Sequence, residues 1–419
     1  MPVSIWEGNK ASELIHTGHL IVEGFARQNL LLAQMLTPGS ATPEAELNEI
    51  HAIVQSGEAP NVFREGDQLM LNYHEGQTDY VLPWDIVHFG DVELQDGEIR
   101  PGMFLQSHYA MQGVQFGATQ AIAVFSEAKS PRKFKFGIGT NWGTHCIAGK
   151  KYSFTTTVEI PAGGQIVIGT ASNFYAWGAP DTAPSNWRAY TFASASSTTP
   201  LEVLTLTEED DGEDLGTLSS STKFSESGMP NLQSAAYGYN RWSKSANRQF
   251  YNSRAAAGGW WTPQYGTDRV PQQHATVQGF MKGFDEAFLN IIKPIKVVTA
   301  LNTVSDSDIG TTETTYDTFF LPSLEQEYIV PQLAGAEGVY WEYWKERLGL
   351  TSPQEQGSGG ANANHIRYAY DAKTSAQYCR LRSAHRGGAS GTWYVSTSGN
   401  ASGSYATYAY RGCPACVIC

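Results

Sequence analysis

The chain is short of charge, of cysteine and of long apolar runs. Only 16% of its 419 residues are charged, against about 25% in an average soluble domain. The 41 Asp and Glu outnumber the 28 Lys and Arg, and the net charge of −13 would repel the phosphates of a nucleic acid. No apolar run reaches about 18 residues, the length that a membrane helix needs. We therefore expect neither nucleic acid nor a membrane as a partner.

The cysteines and the first residues bear on the compartment. The five cysteines are an odd number, and Cys413, Cys416 and Cys419 lie within the last seven residues. A chain of this size builds its core without disulfides. The opening MPVSIWE lacks the basic start and apolar run of a secretory signal. We expect synthesis in a host cytoplasm and export by another route, such as incorporation into a virus particle.

Neutral polar and aromatic residues take the place of charge. The chain has 42 Gly, 21 Tyr and 11 Trp, and its Ser and Thr content is high. This mixture is typical of extracellular or virion β proteins and of adaptable binding surfaces. The length predicts two or three domains.

The pattern along the chain predicts four parts. Residues 1–38 are interpreted as an oligomerisation helix because they carry a heptad stripe, formed by Leu14, Ile21, Phe25, Leu32 and Met35. A helix folded back onto its own domain explains the stripe equally well. Residues 39–205 are expected to form a mostly β domain that opens with a short amphipathic helix at 44–56.

An acidic run, EEDDGED at 208–214, begins the second half. A run of like charges is typical of a solvated linker, and this one lacks the ordered ligand spacing of a calcium loop. We predict an acidic, Ser- and Gly-rich linker at 206–230 and a ligand-binding domain at 231–419.

Motifs of enzyme and metal chemistry are missing. The sequence has no nucleophile elbow, no zinc-protease motif, no phosphate loop and no dinucleotide fingerprint. His16 and His19 lie three apart without a third ligand. Cys413 and Cys416 have the spacing of a zinc or redox pair, but a second pair is absent and the segment suits a packed final strand. We predict no catalytic residue, no metal and no cofactor.

The C-terminal half carries a series of short segments in a fixed order. They are YNS at 251–253, GWW at 259–261, FFLPSLE at 319–325, YD at 370–371, AQY at 376–378, LRSA at 381–384, YVSTSG at 394–399, YAYR at 408–411 and PACVI at 414–418. Over 231–419 the chain resembles a domain family of gut bacteriophages and prophages, similar to the C-type-lectin-fold proteins that retroelements diversify. Weaker likeness continues upstream, in GD at 66–67 and WDIVH at 84–88.

The resemblance implies a fold class and a variable surface. The expected fold is α+β, with a C-terminal C-type-lectin-like domain preceded by a mostly β domain and an N-terminal helix. Tyrosine and tryptophan are rigid anchors for binding, and arginine offers a planar donor fork. The predicted ligand-binding residues are Cys379, Arg380, Arg382, His385, Arg386, Thr392, Trp393, Tyr405, Tyr408, Tyr410 and Arg411.

One departure stands inside this surface. Such domains usually carry aromatics where this chain has Cys379 and Arg380. Either these two positions are diversified, or the core has repacked around a thiol. The segment at 414–418, with Leu381, Ser383 and Tyr394, is interpreted as scaffold.

The predicted function is that of a virion protein, a tail-fibre-like receptor-binding component of a bacteriophage. The expected partners are a bacterial surface protein or glycan, other virion proteins and copies of the same chain, with a trimer favoured. One alternative is a structural or decoration protein of the virion. A remote alternative is an enzyme of the formylglycine-generating type, which needs a cysteine pair and a metal.

Overall fold

The computed structural model of the protein describes residues 40–219 and 229–419. The predicted oligomerisation helix at 1–38, with His16 and His19, lies outside the described residues. So does the part of the predicted linker at 220–228.

The described helices are short. α1, of 12 residues, buries Leu47, Ile50, Ile53 and Val54 on one face. The α-helices are α1 Glu44–Gln55, α2 Ala59–Val62, α3 Leu232–Tyr237, α4 Ala246–Tyr251, α5 Glu286–Ile291 and α6 Glu342–Leu348. Single 3₁₀ turns occupy Pro184–Asn186, Trp242–Lys244, Phe280–Gly283, Ser358–Gly360 and Ala363–His365.

Strands dominate the described residues and form six sheets. The strands are β1 Gln68–Glu75, β2 Thr78–Glu93, β3 Ile99–Ser107, β4 Ala123–Val124, β5 Lys133–Ile138, β6 Lys151–Thr155, β7 Gln165–Thr170, β8 Trp187–Phe192, β9 Glu202–Thr205, β10 Glu213–Leu218, β11 Ile295–Ala300, β12 Thr312–Asp317, β13 Arg367–Ala369, β14 Ala372–Gln377, β15 Cys379–Ala384, β16 Gly391–Val395, β17 Ala401–Tyr405, β18 Arg411–Gly412 and β19 Ala415–Ile418. The sheet orders are β1-β2-β3-β19, β4-β7-β8-β9, β10-β5-β6, β11-β12, β13-β14 and β17-β16-β15-β18.

The first sheet joins the two ends of the described chain. β19 pairs antiparallel with β3, so that Ile418 lies opposite Met103, and all four residues of β19 are buried. Gly102 on β3 permits this approach, because a Cβ there would lie 2.8 Å from Cγ1 of Val417. The C-terminal strand therefore completes a sheet that residues 68–107 begin.

The main core lies against this sheet. It contains buried residues from 47–116 and from 242–419 in one continuous apolar cluster. Aromatic rings make up its centre: Phe284 stacks on Phe319 with centroids 5.2 Å apart, and Trp84 meets Phe284 edge-on at 5.7 Å. Burial of such large side chains is the main stabilising contribution to the fold.

A second core is formed by strands β5 to β8 and α3. Phe134 and Phe136 on β5, Trp187 on β8 and Tyr237 on α3 belong to it. Tyr405 of β17 packs against this cluster, so the second core also supports the C-terminal part of the chain.

The acidic run lies against basic strands. Lys133 on β5 contacts Glu209 at 2.5 Å, and Lys135 contacts Asp210 at 2.7 Å. Lys151 on β6 reaches the other oxygen of Asp210 at 2.8 Å. The chain then continues into β10, which pairs in parallel with β5. Much of the local acidic excess is therefore balanced within the chain and says little about an outside partner.

The predicted fold is wrong in its C-type-lectin-like arrangement, although α+β as a broad class is consistent with the structure. The structure is mostly β, with 34% strand and 15% helix in six sheets, and the described residues show no helix-led C-type-lectin arrangement. The physical reason is strand pairing: the segment expected to complete a C-terminal domain by itself instead pairs with β3. The helices of 231–419 are only six or seven residues long.

Two further expectations concern domains and membranes. The four predicted parts stay a prediction, although the first sheet and the main core draw on both 39–205 and 231–419. Of the helices in 40–219 and 229–419, none has the length and apolar character needed to cross a bilayer.

Candidate ligand-binding surface

The predicted variable residues lie on and around the sheet β17-β16-β15-β18. β15 is central, antiparallel to β16 and parallel to β18, and all six of its residues are buried. Five predicted residues lie inside the protein: Cys379, Arg380, Arg382, Thr392 and Trp393. Five are half-buried, namely His385, Arg386, Tyr405, Tyr410 and Arg411, and Tyr408 is exposed.

The sheet displays a group of tyrosines that we call the tyrosine surface: Tyr378, Tyr394, Tyr405, Tyr408 and Tyr410. Tyr378 stacks on Tyr410 with centroids 5.0 Å apart, and Tyr394 lies 5.0 Å from Tyr410. Tyr408 lies 5.8 Å from Tyr410 and 6.1 Å from Tyr405. These contacts form a continuous aromatic surface on which Tyr378 and Tyr408 are the most exposed members, at 41% and 45%.

Arg380 supports the tyrosine surface from below. Its guanidinium donates to the carbonyl oxygens of Tyr405 at 3.1 Å and Tyr408 at 2.6 Å, and to the Thr392 hydroxyl. It also lies 4.7 Å from the ring centroid of Tyr410. Burial lowers the pKa of Arg380 to about 10. Arg380 is a positioning residue, since its donors fix the turn that presents Tyr405 and Tyr408.

Tyr405 is fixed from its other side as well. Its ring is stacked on Tyr237 with centroids 3.6 Å apart and an interplanar angle of 5°. Tyr237 donates to Asp181 at 2.9 Å, and burial together with this contact raises the pKa of Tyr237. Tyr405 is therefore held by the second core, while Tyr408 remains free to meet a partner.

A pocket of about 300 Å³ opens beside the tyrosine surface. Its lining includes Tyr378 and Tyr410, three glutamines and Arg411. Arg411 is compensated by Asp371 at 3.0 Å. The surface thus combines a raised aromatic area with a polar, neutral depression.

The cysteines lie inside the protein. The Sγ atoms of Cys379 and Cys413 are 3.7 Å apart, and Cys416 and Cys419 are fully buried. The contact with Cys413 and burial raise the pKa of Cys379, and burial raises that of Cys416. A thiol kept protonated is a poor nucleophile and metal ligand. In the part of the chain that the structure describes, no three His, Cys, Asp or Glu side chains form a metal-binding group.

A buried polar network around Asp85 of β2 was not predicted from the sequence. Asp85, 1% exposed, accepts hydrogen bonds from Tyr343 at 2.7 Å and Arg367 at 3.2 Å and lies 2.9 Å from His108. A second group continues it, in which His365 lies 2.9 Å from Glu327. The only signal was the position of Asp85 within WDIVH at 84–88, a segment that carries part of the resemblance.

The Asp85 carboxylate predicts a specific pH dependence. Burial raises its pKa, but His108, Arg367 and Tyr343 together outweigh that effect, and the pKa is lowered. Because the unfolded value is about 3.9, the folded state gains stability above that pH and loses it as the pH falls. We expect the stability difference between wild type and Asp85→Asn to be largest at pH 7 and to shrink below pH ~4.

Urea unfolding at pH 7, 5, 4 and 3 measures this difference. The exposed Asp91→Asn variant, on the same strand, serves as the control and should show no such trend. A wild-type advantage over Asp85→Asn that stays constant down to pH 3 would contradict the assigned role of the carboxylate.

Comparison with known proteins adds one match. Residues 221–418 match the model of a family described as a domain of unknown function, DUF6273. The matched region includes the whole tyrosine surface and β19, whereas β3, the partner of β19, lies outside it. No curated protein and no solved structure matches the chain.

Proposed function

We propose that the chain is a bacteriophage virion protein, tail-fibre-like, that binds a ligand on the bacterial surface without chemical conversion of it. The observation that carries the proposal is the tyrosine surface, in which five rings form one continuous patch. Tyrosine supplies large contact area at low conformational cost and is enriched in binding hot spots.

The support beneath the patch favours binding over a purely structural role for these residues. Arg380 and Tyr237 hold the turn at 405–408 from two sides. A surface fixed in advance loses less entropy when a partner binds. Tyr378 and Tyr408 are exposed within the part of the chain that the structure describes, and this exposure supports contact with an external ligand.

The virion assignment rests on the sequence resemblance over 231–419. Several copies on one particle would raise the overall affinity through avidity, so that each site needs only weak binding. Homo-oligomerisation through residues 1–38 is part of the same proposal.

Truncation of two exposed tyrosines tests the function. We expect the Tyr378→Ala/Tyr408→Ala variant to lose at least tenfold in affinity for bacterial cells, because a hot-spot aromatic contributes about 2 kcal/mol. The measurement is binding of fluorescent beads that carry the full chain to a panel of gut bacterial strains. Tyr340→Ala is the matched control, since Tyr340 is also exposed, at 38%, and lies outside the tyrosine surface.

The outcomes separate the alternatives. Equal loss in the control variant, or no loss in the double variant, would show that the tyrosine surface is not the ligand site. Wild-type beads that bind no strain but bind purified virions would overturn the receptor-binding role in favour of a decoration protein.

A further inference from the structure

We propose that the pocket beside the tyrosine surface is a carbohydrate subsite that takes one neutral sugar ring. The inference rests on the proposed binding function and names the chemical class of its ligand. The pocket measures about 300 Å³ and is lined by Gln112, Gln273, Gln377, Tyr378, Tyr410 and Arg411 among others. This is the lower end of the range for small-molecule pockets and suits a single ring.

The three glutamines supply the polar recognition. Nε2 of Gln112 donates to the Gly113 carbonyl at 3.0 Å, and Nε2 of Gln377 donates to the Ser375 hydroxyl at 2.9 Å. Oε1 of Gln273 accepts a hydrogen bond from the backbone N–H of Gln115 at 3.1 Å. Within the described residues these bonds leave two amide oxygens and one amide nitrogen without a partner.

That set of atoms fits hydroxyl groups. A hydroxyl donates one hydrogen bond and accepts two, so neighbouring hydroxyls on a sugar ring pair with amide oxygens and amide nitrogens together. All three glutamines are half-buried, which places their polar ends at the pocket while their stems are packed. A purely apolar ligand would leave these groups unpaired at a cost.

The aromatic part of the lining complements the other face of a sugar. The rings of Tyr378 and Tyr410 are stacked with an interplanar angle of 25° and centroids 5.0 Å apart. Both residues line the pocket. The C–H groups of a pyranose pack on aromatic surface, whereas water solvates that surface poorly. Aromatic rings beside amides therefore match the two kinds of surface that a sugar ring presents.

The charge of the pocket argues for a neutral ligand. Arg411 is the one charged residue among those lining it, and Asp371 compensates it at 3.0 Å. Arg411 also lies 5.4 Å from the Tyr370 ring centroid. A phosphate or carboxylate ligand would need an uncompensated cation, and the lining offers none.

The wall of the pocket is closely packed. A Cβ on Gly113 would lie 2.5 Å from the carbonyl oxygen of Tyr410, so the backbones at 113 and 410 are in direct contact. Residue 113 is therefore restricted to glycine, and Gly113→Ala displaces Tyr410 without removing a polar group.

The test is titration of the full chain with neutral sugars, namely hexoses, 6-deoxyhexoses and N-acetylhexosamines, followed by saturation-transfer NMR. We expect at least one sugar to bind with millimolar or better affinity. Gln112→Ala, Gln377→Ala and Gly113→Ala should each weaken that binding at least tenfold, while Gln55→Ala on α1 leaves it unchanged. Thermal melts identify any variant that fails to fold. The sugar affinities of the remaining variants then determine whether the pocket is the binding site.

Cell binding keeps this inference distinct from the proposed function. If the beads bind cells through Tyr378 and Tyr408 but no neutral sugar binds or competes, the sugar subsite is overturned and the binding function stands. The cells can also be treated before binding, with protease to remove surface proteins or with periodate to oxidise surface sugars. Loss of binding after protease but not after periodate would likewise overturn the sugar subsite and leave the binding function in place. A sugar that binds the pocket while no cells are bound would overturn the function alone.

Discussion

An Arg380→Ala variant is expected to lose about 3 kcal/mol of unfolding free energy, together with most of its ligand binding. The change removes a fully buried side chain. The carbonyl oxygens of Tyr405 and Tyr408 lose a charged donor and keep one backbone N–H each, and the Thr392 hydroxyl loses its arginine donor. A hydrogen bond to a charged group contributes about 1.5–3 kcal/mol and a buried polar group without a partner costs about 1–3 kcal/mol, and the cavity adds to these losses. Relief from burying an unpaired cation offsets only part of this sum.

Two further variants show which property of Arg380 matters. Arg380→Met restores volume without donors, and we expect it to recover stability in part and binding hardly at all. Arg254→Ala removes an exposed ion pair with Glu286 and should change stability by less than about 1 kcal/mol. Chemical unfolding and bead binding to cells at low temperature measure both quantities. Full binding by Arg380→Met would show that the guanidinium does not position the turn.

The Arg380 case also shows what composition predicts and what it does not. The sequence predicts a tyrosine- and arginine-rich binding surface at 379–411, and the structure places the Tyr408 side chain at the protein surface. The sequence did not indicate that Arg380 and Arg382 lie inside. An arginine has an apolar stem and five donors, so it suits an interior rich in carbonyl oxygens as well as a surface. A buried and an exposed arginine contribute equally to composition, so only the arrangement of the strands determines whether Arg380 and Arg382 lie inside or at the surface.

Tyr394 shows the opposite case, a residue predicted to be scaffold that lies at the predicted binding surface. The sequence predicts a scaffold role for Tyr394, yet its ring lies 5.5 Å from Tyr378 and 5.0 Å from Tyr410 in the tyrosine surface. β15, which carries no exposed side chain, brings the segments at 378, 394 and 410 together through its neighbours on both sides. Pairing between strands determines which tyrosines meet, and the spacing of the residues along the chain does not reveal it.

Pairing between distant strands also explains why the predicted C-type-lectin-like arrangement is wrong. A final strand near 414–418 was predicted from its small apolar residues, and β19 lies there. Its partner β3 is about 300 residues earlier in the chain, and a contact so distant in sequence has no local signature. The interpretation of 231–419 as a self-contained C-type-lectin-like domain depended on that missing information.

A Val417→Asp variant is expected to lose at least about 4 kcal/mol of unfolding free energy, among the largest effects of any single change in this chain. Val417 is fully buried, lies opposite Phe104 on β3 and approaches the site of Gly102 together with Val92. A carboxylate there would be buried in an apolar core, where its desolvation costs several kcal/mol. Because whole domains are stable by about 5–15 kcal/mol, much of the chain should unfold at 37 °C.

Because β19 pairs with β3, the Val417→Asp variant should also destabilise β1, β2 and β3 of the same sheet. Hydrogen exchange should accelerate in residues 68–107 as well as in 415–418, since β3 loses its neighbour and the main core opens on that side. The control is Val203→Asp on β9, where the valine is 52% exposed and a carboxylate remains in water, so stability should change by less than about 0.5 kcal/mol. If Val417→Asp instead leaves β1, β2 and β3 fully protected while 231–419 unfolds, the first sheet is stable without β19. The C-terminal half would then fold as a separate unit.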